Sequence, residues 1–374
     1  MANMIQYATQ TSQFTFESKS LTEVDAAIFA QAAYFDYSYL NRHHFQRFGE
    51  LTDTNVQSRV TERNWFPPKS HSLVMAMSHA ARYRDVAWQR YVQRTRQDTQ
   101  EQFAAITFAL GNQTYVVSFR GTTNSLVGWK EDFNMTFLQT VPAQISAASY
   151  LQEQMTQFPG QYYLVGHSKG GNLAVYALQQ LPIALQANVQ HVYSFDGPGS
   201  LPQQPLLEAR ITKLVPQTAI IGMLMTTQNN FGVVHSDASM FYQHDLFSWQ
   251  VVGQAFERLP QTDWLSQYTQ RMLTAWLATL QPDVRANILN NFYDILKVGN
   301  ATTVAEVNKG LPRNLPRYLQ KLRSSDPLIR QQTRAATLDM LNALRQSIRA
   351  PKNDKIGSDA QCGVTSSSFS YQSG

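Results

Sequence analysis

Short apolar runs of strand length alternate with helix-length segments through the middle of the chain. The runs at residues 103–110 and 114–119 are joined by Gly111-Asn112, which is typical of a turn between paired strands. Further strand-like runs lie at residues 162–165, 191–195, 211–215 and 231–235. Helices are predicted between them at residues 147–158 and 169–181. This alternation predicts an α/β fold with a mostly parallel sheet and helices on both faces.

The segments before the first of these strands are less regular. Thr22-Glu-Val-Asp25 has the spacing of a capping box and predicts a helix that ends near Tyr37. Residues 41–72 are polar, contain Pro67-Pro68 and are predicted to be loop-like. Residues 74–94 carry recurring apolar positions and are predicted to form a second helix.

The pattern becomes almost wholly helical from about Leu259 onward. We therefore predict a core over residues 1–258, which includes the N-terminal helices, and a helical appendage over residues 259–349. The last residues, 350–374, include a serine-rich run and are predicted to form a disordered tail. No internal repeat is visible.

The composition favours a globular protein, with 43% hydrophobic and 15% charged residues in 374. The single cysteine, Cys362, excludes an intramolecular disulfide and a cysteine-rich metal site. The first sixteen residues lack the features of a secretory signal, and no apolar run reaches the roughly 18 residues that a membrane span requires. We expect a cytoplasmic protein.

Positive charge is concentrated toward the C-terminus. The net charge is +5, and residues 309–355 hold 11 Lys or Arg against 3 Asp or Glu. Such a run predicts a solvated helical face, and weak contact with an anionic membrane surface is the alternative. We expect no nucleic-acid partner.

The segment Gly166-His-Ser-Lys-Gly170 matches the G-x-S-x-G pattern of serine hydrolases. The pattern alone is weak, since it arises by chance in roughly one chain in ten of this size. Here a predicted strand precedes it and a predicted helix follows it, as the strained turn that exposes the serine requires. We therefore predict that Ser168 is a nucleophile, with an ordinary glycine-rich turn as the alternative.

A serine hydroxyl needs a base, usually a histidine that a carboxylate orients. The candidates downstream of Ser168 are His191, His235 and His244 as base, and Asp196, Glu208 and Asp237 as acid. Asp196 directly follows a predicted strand, at the edge of the sheet where α/β proteins place their sites. We select Asp196 and His244, which also preserve the chain order Ser, acid, His. Asp237 and His235 remain the alternatives.

The oxyanion of an acyl-transfer reaction needs hydrogen-bond donors. One is expected from the backbone N–H of Lys169, the residue after the nucleophile. A second is expected from an earlier junction between a strand and a loop, where Phe119-Arg-Gly-Thr122 lies. Thr122 offers both its N–H and its hydroxyl, whereas the alternative for this segment is a plain turn.

Four segments in this order resemble the class 3 lipases. They are Val117–Thr122 with Trp129 and Asp132, Leu164–Ala174, Phe195–Gly199 and Gln243–Trp249. The last two resemble an uncharacterised bacterial branch of that superfamily, and the likeness covers roughly residues 20–300. It implies the α/β-hydrolase fold.

The resemblance also implies roles for individual residues. The residue after Arg-Gly serves the oxyanion hole in these lipases, which corresponds to Thr122. Their catalytic histidine precedes an aromatic pair, which corresponds to His244 ahead of Phe247 and Trp249. Their catalytic Asp follows the next strand, but residues 217–224 contain no acid. Asp196 therefore depends on its position alone.

The leading hypothesis is a serine carboxylesterase or lipase, which cleaves an acyl ester or lipid through an acyl-enzyme on Ser168. The same chemistry serves an acyltransferase or a thioesterase. A catalytically silent scaffold that binds lipid or a protein partner is the alternative of a different class. We expect no metal and no organic cofactor, and the pocket is expected to include the insert at residues 125–145. The sequence carries no signal for the oligomeric state.

Overall fold

The computed structural model describes residues 2–123, 125–199, 205–225, 230–279 and 281–297, with scattered positions between 306 and 338. The helices are α1 Met4–Gln10, α2 Glu23–Ala32, α3 Tyr37–Arg42, α4 Thr54–Thr61, α5 Pro67–His79, α6 Leu126–Asn134, α7 Pro142–Gln157, α8 Lys169–Gln180, α9 Ile183–Gln186, α10 Pro205–Glu208, α11 Trp264–Thr279 and α12 Pro282–Lys297. The strands are β1 Ala87–Arg96, β2 Glu101–Gly111, β3 Thr114–Phe119, β4 Gln161–His167, β5 Val189–Phe195, β6 Ile211–Pro216, β7 Gly232–Val234, β8 Val251–Val252, β9 Ala255–Phe256 and β10 Arg258–Leu259.

Eight of these strands form one sheet in the order β1-β2-β3-β4-β5-β6-β7-β10. Neighbours from β3 to β7 are parallel, whereas β1, β2 and β10 pair antiparallel at the two edges. Strands β8 and β9 form a separate antiparallel pair. The prediction of a mostly parallel α/β sheet is confirmed.

Helices cover both faces of the sheet because neighbouring residues of a strand point to opposite sides. On β2, Ile106 and Phe108 pack with residues of α2 and α5, while Phe103 and Ala105 pack with residues of α7 and α8. The strand is therefore buried on both faces over most of its length.

The N-terminal region differs from its prediction in two places. The loop predicted for residues 41–72 is wrong, since α4 lies within it and α5 begins at Pro67. The two prolines start this helix, because the first turn needs no N–H donors and proline already has a helical φ. The capping box at Thr22 is confirmed, as its hydroxyl accepts the N–H of Asp25 at 3.2 Å.

The helix predicted for residues 74–94 is also wrong beyond His79, where α5 ends. The chain continues as strand β1, in which Trp88 pairs with Phe108 of β2. Trp88 then packs edge-on against Tyr37 and Phe48. Strand pairing and aromatic burial override the helical spacing here, because both depend on residues that are distant in the sequence.

The predicted helical appendage begins with α11 and α12. Residues 309–355 are described only at scattered positions, and residues 350–374 lie outside the described part of the chain. The membrane contact, the disordered tail and the domain boundaries therefore stay predictions. Among the described residues, no helix is long and apolar enough to cross a bilayer.

Candidate active site

Ser168 occupies a strained turn between β4 and α8. Its backbone has φ 58° and ψ −132°, a conformation that L-residues rarely adopt. The flanking glycines permit the turn, because a Cβ on Gly166 would overlap the backbone of Gly170, and one on Gly170 would overlap the carbonyl of Phe119. The N–H of Ser168 donates to the carbonyl of Phe195 at 2.9 Å, which ties the turn to β5.

Asp196 and His244 lie in direct contact beside this turn. Nδ1 of His244 donates to Oδ2 of Asp196 at 2.6 Å, while Oδ1 accepts the N–H of Gly222 at 3.0 Å. Asp196 is 1% exposed and directly follows β5, and the His244 side chain is 20% exposed. The carboxylate is thus fully engaged, and it fixes the tautomer of the imidazole with Nε2 free to accept a proton.

The alternative acid and base have other surroundings. Asp237 is exposed, and its N–H donates to the carbonyl of Ser248. Nδ1 of His235 contacts Glu257 at 2.6 Å, and Nε2 of His191 contacts Thr212 at 2.7 Å. Asp196 and His244 therefore contact each other, whereas Asp237, His235 and His191 have other partners.

The segment Arg120-Gly-Thr122 passes directly beside the nucleophile. A Cβ on Gly121 would come 3.1 Å from the Cβ of Ser168. The Thr122 hydroxyl donates to Oδ1 of Asp132 at 2.8 Å, which fixes the threonine side chain. Burial raises the pKa of Asp132, and the nearby charge of Lys169 lowers it in part. Thr122, Ser168 and Lys169 line the same pocket.

The side chain of Lys169 turns away from the nucleophile into the protein. Its Nζ donates to Oε2 of Glu131 at 2.8 Å and to the carbonyl of Gln102 at 2.9 Å. Oε2 of Glu131 also accepts the N–H of Gln102, and Oε1 accepts the N–H of Ala143 at 2.8 Å. This buried ion pair joins the start of α8 to α6 and β2.

Three residues near His244 were not predicted. Nε2 of His167 lies 2.7 Å from the carbonyl oxygen of His244, and the hydroxyl of Tyr34 lies 3.4 Å from Nδ1 of His167. Lys69 of α5 donates to Oδ2 of Asp245 at 2.8 Å. His167 stands inside the G-x-S-x-G segment, which is the one sequence signal that marks it. Lys69 lies in α5 and Tyr34 in the turn between α2 and α3, and no motif connects either of them to the site.

A pocket of about 270 Å³ opens in front of Ser168. Its lining is mainly apolar and aromatic, and includes Trp65, Phe66, Trp129, Phe133, Met135, Ile221, Leu224, Met225 and Phe241. The polar residues of the lining include Thr122, Ser168 and His244. The insert at residues 125–145 contributes to the wall, as expected. Among the described residues, no cluster of His, Cys, Asp or Glu is arranged to hold a metal ion.

The model of the Mbeg1-like family matches residues 77–294, which is more than half of the chain. No curated protein matches the sequence. Solved structures of similar fold include a fungal lipase in an inhibitor complex that was described as a model for interfacial activation. It is 12% identical, with a TM-score of 0.35, over 56% of this chain and 76% of the other.

Two further structures have a similar fold. The lipase of Rhizomucor miehei with its propeptide is 16% identical, over 41% of this chain and 58% of its own, with a TM-score of 0.30. A mutant form of MDLA from Penicillium cyclopium is 13% identical, over 62% of this chain and 82% of its own, with a TM-score of 0.36. At these values the likeness concerns the fold alone. The predicted bacterial branch is not among these matches and stays a prediction.

Proposed function

The chain belongs to the Mbeg1-like family, and from this premise we propose that it is a serine hydrolase that cleaves carboxylic esters. Ser168 is the nucleophile, His244 the general base and Asp196 the orienting acid. The backbone N–H of Lys169, together with Thr122, forms the oxyanion hole. No metal or organic cofactor takes part in this proposal.

The proposal rests mainly on the arrangement of Asp196, His244 and Ser168. The buried Asp196 holds His244 at 2.6 Å, and both His244 and the strained Ser168 face the same apolar pocket. A buried carboxylate, an imidazole of fixed tautomer and a serine at a strand-to-helix turn are the parts that nucleophilic acyl transfer needs. A scaffold without activity has no requirement for the backbone strain at Ser168.

The chemistry follows from the tautomer of His244. Its Nε2 accepts the proton of the Ser168 hydroxyl while the serine oxygen attacks the carbonyl carbon of the ester. Asp196 stabilises the imidazolium that forms, and the N–H of Lys169 stabilises the oxyanion. His244 then gives the proton to the departing alcohol. A water molecule cleaves the acyl-enzyme by the same steps, which releases the acid and restores the serine.

The pocket indicates the kind of ester. A volume of about 270 Å³ lies slightly below the range of roughly 300–1,000 Å³ that is typical of sites for drug-sized ligands. Its lining is mainly apolar and aromatic. We therefore propose an ester with one short or medium acyl chain, as opposed to a bulky polar substrate.

The test is hydrolysis of a chain-length series of p-nitrophenyl esters, together with labelling by a fluorophosphonate. Wild type should be active and labelled. Ser168→Ala should be unlabelled and should lose about 10⁴-fold or more in kcat, because the three groups act as a unit. A wild type that neither reacts with the probe nor cleaves any ester would refute the proposal and favour the scaffold hypothesis.

A matched pair of substitutions tests the assignment of the acid. Asp196→Asn should lower kcat by roughly 10²- to 10⁴-fold, because the imidazole loses the group that orients it. Asp237→Asn makes the same chemical change on an exposed side chain and should leave kcat near wild type. The reverse result would show that Asp237 is the acid.

A further inference from the structure

The histidine before the nucleophile contacts the proposed general base. Nε2 of His167 lies 2.7 Å from the backbone carbonyl oxygen of His244. A carbonyl oxygen only accepts hydrogen bonds, so Nε2 of His167 must carry the proton and donate. The bond joins the last residue of β4 to the loop that presents the imidazole of His244.

A second contact on the other side of the ring agrees with this tautomer. The Tyr34 hydroxyl lies 3.4 Å from Nδ1 of His167. Because Nε2 carries the proton of the neutral ring, Nδ1 is an acceptor and the Tyr34 hydroxyl donates to it. The hydrogen bonds therefore run in one direction, from Tyr34 through His167 to the carbonyl of His244.

The ring of His167 also lies against the ring of His244. Their centroids are 4.4 Å apart, with an angle of 38° between the planes. His167 is 9% exposed, and burial lowers its pKa well below 6.5. A neutral ring is the form that donates from Nε2 and accepts at Nδ1, so the electrostatics agree with the hydrogen bonds.

We propose that His167 is a positioning residue, which holds the backbone of His244 so that its imidazole stays aligned between Asp196 and Ser168. This inference rests on the proposed function. His167 does not exchange a proton with the substrate. Its effect comes from geometry, since a displacement of about 1 Å at a reacting group costs on the order of 10²-fold in rate.

The test compares three substitutions by their kcat and KM for one p-nitrophenyl ester. His167→Phe keeps a ring against His244 but has no N–H, and should lower kcat about 10- to 100-fold with KM nearly unchanged. His167→Gln places an amide N–H at a similar distance from the backbone and should recover most of this loss. Tyr34→Phe should lower kcat about three- to tenfold, as expected for one hydrogen bond.

His191→Phe is the matched control, because it makes the same change in a histidine of β5 that contacts Thr212. It should leave kcat near wild type. A purely structural role of His167 would make Gln as harmful as Phe, and that outcome overturns the proposal. So does a folded His167→Phe protein whose kcat stays within about twofold of wild type.

Nitrogen-15 NMR of the histidine rings in Ser168→Ala gives a readout that needs no activity and no folded His167→Phe protein. His167 should stay neutral with its proton on Nε2 as the pH is lowered through 6.5, because burial lowers its pKa. Titration near pH 6.5, or a proton on Nδ1, contradicts the inference whatever the activity. If wild type does not react with a fluorophosphonate, the proposed function fails instead, and the catalytic role of His167 fails with it.

Discussion

Lys169→Met is a direct test of the buried ion pair beneath the proposed oxyanion hole. The side chains of Lys169 and Glu131 are 1% and 0% exposed, and 2.8 Å separates Nζ from Oε2. Methionine keeps the length and the apolar stem of lysine but removes the charge. Glu131 then keeps two backbone N–H donors without a counter-charge. Breaking such a pair costs about 3–5 kcal/mol of the free energy of unfolding.

Denaturant unfolding followed by tryptophan fluorescence measures this loss as a lower midpoint. Adding Glu131→Gln to Lys169→Met should recover much of the stability, because no buried charge remains. Arg59→Gln is the control, since it breaks partly exposed pairs with Glu62 and Asp36 and should cost less than about 1 kcal/mol. If Lys169→Met lowers the free energy of unfolding by no more than Arg59→Gln does, the buried pair does not stabilise the fold and the reasoning is wrong.

Asp25 and Arg82 form a second fully buried pair, with 2.6 Å between Oδ2 and Nη2. Asp25→Asn should lower the free energy of unfolding by about 3–5 kcal/mol in a denaturant titration, while kcat per folded molecule stays unchanged. Burial lowers the pKa of His167 in the folded protein, so just below pH 6.5 the imidazole takes up a proton in the unfolded chain but not in the folded one. Stability should therefore fall on acidification, and unfolding midpoints measured from about pH 7.5 to 5 should fall less steeply in His167→Gln. Phe66 lines the pocket, so Phe66→Ala should enlarge it and favour esters with longer acyl chains. In the p-nitrophenyl ester series, kcat/KM should rise about fourfold for each newly buried methylene. An unchanged dependence of kcat/KM on chain length would exclude Phe66 from the acyl site.

The central sheet could be predicted from the sequence because its signal is local. Strands such as β3 are short apolar runs bounded by turn residues, and the alternation with helices fixes the fold class. Strand β1 was missed because its identity depends on pairing with β2, where Trp88 lies opposite Phe108. The partner strand β2 lies outside residues 74–94, so this segment by itself shows only the spacing of apolar residues that is typical of a helix.

The proposed catalytic groups could be predicted in part. The G-x-S-x-G segment and the strand before it point to Ser168, and the end of β5 points to Asp196. The choice of Asp196 over Asp237 depended on that position alone, and the 2.6 Å contact with His244 supplies a second argument that the sequence lacked. Tyr34 could not be predicted, because it lies 133 residues before the histidine that it contacts.

The N-terminal helices take part in the site even though they precede the residues that match the family model. That match begins at residue 77, whereas Tyr34, Phe66 and Lys69 lie before it. Lys69 donates to Asp245, the neighbour of His244, across 176 residues of chain, and its ammonium lies 5.1 Å from the ring centre of Phe66. One cation therefore connects a wall of the pocket to the loop of the proposed base. We therefore expect a change at Lys69 to alter the pocket wall and the loop of the proposed base together.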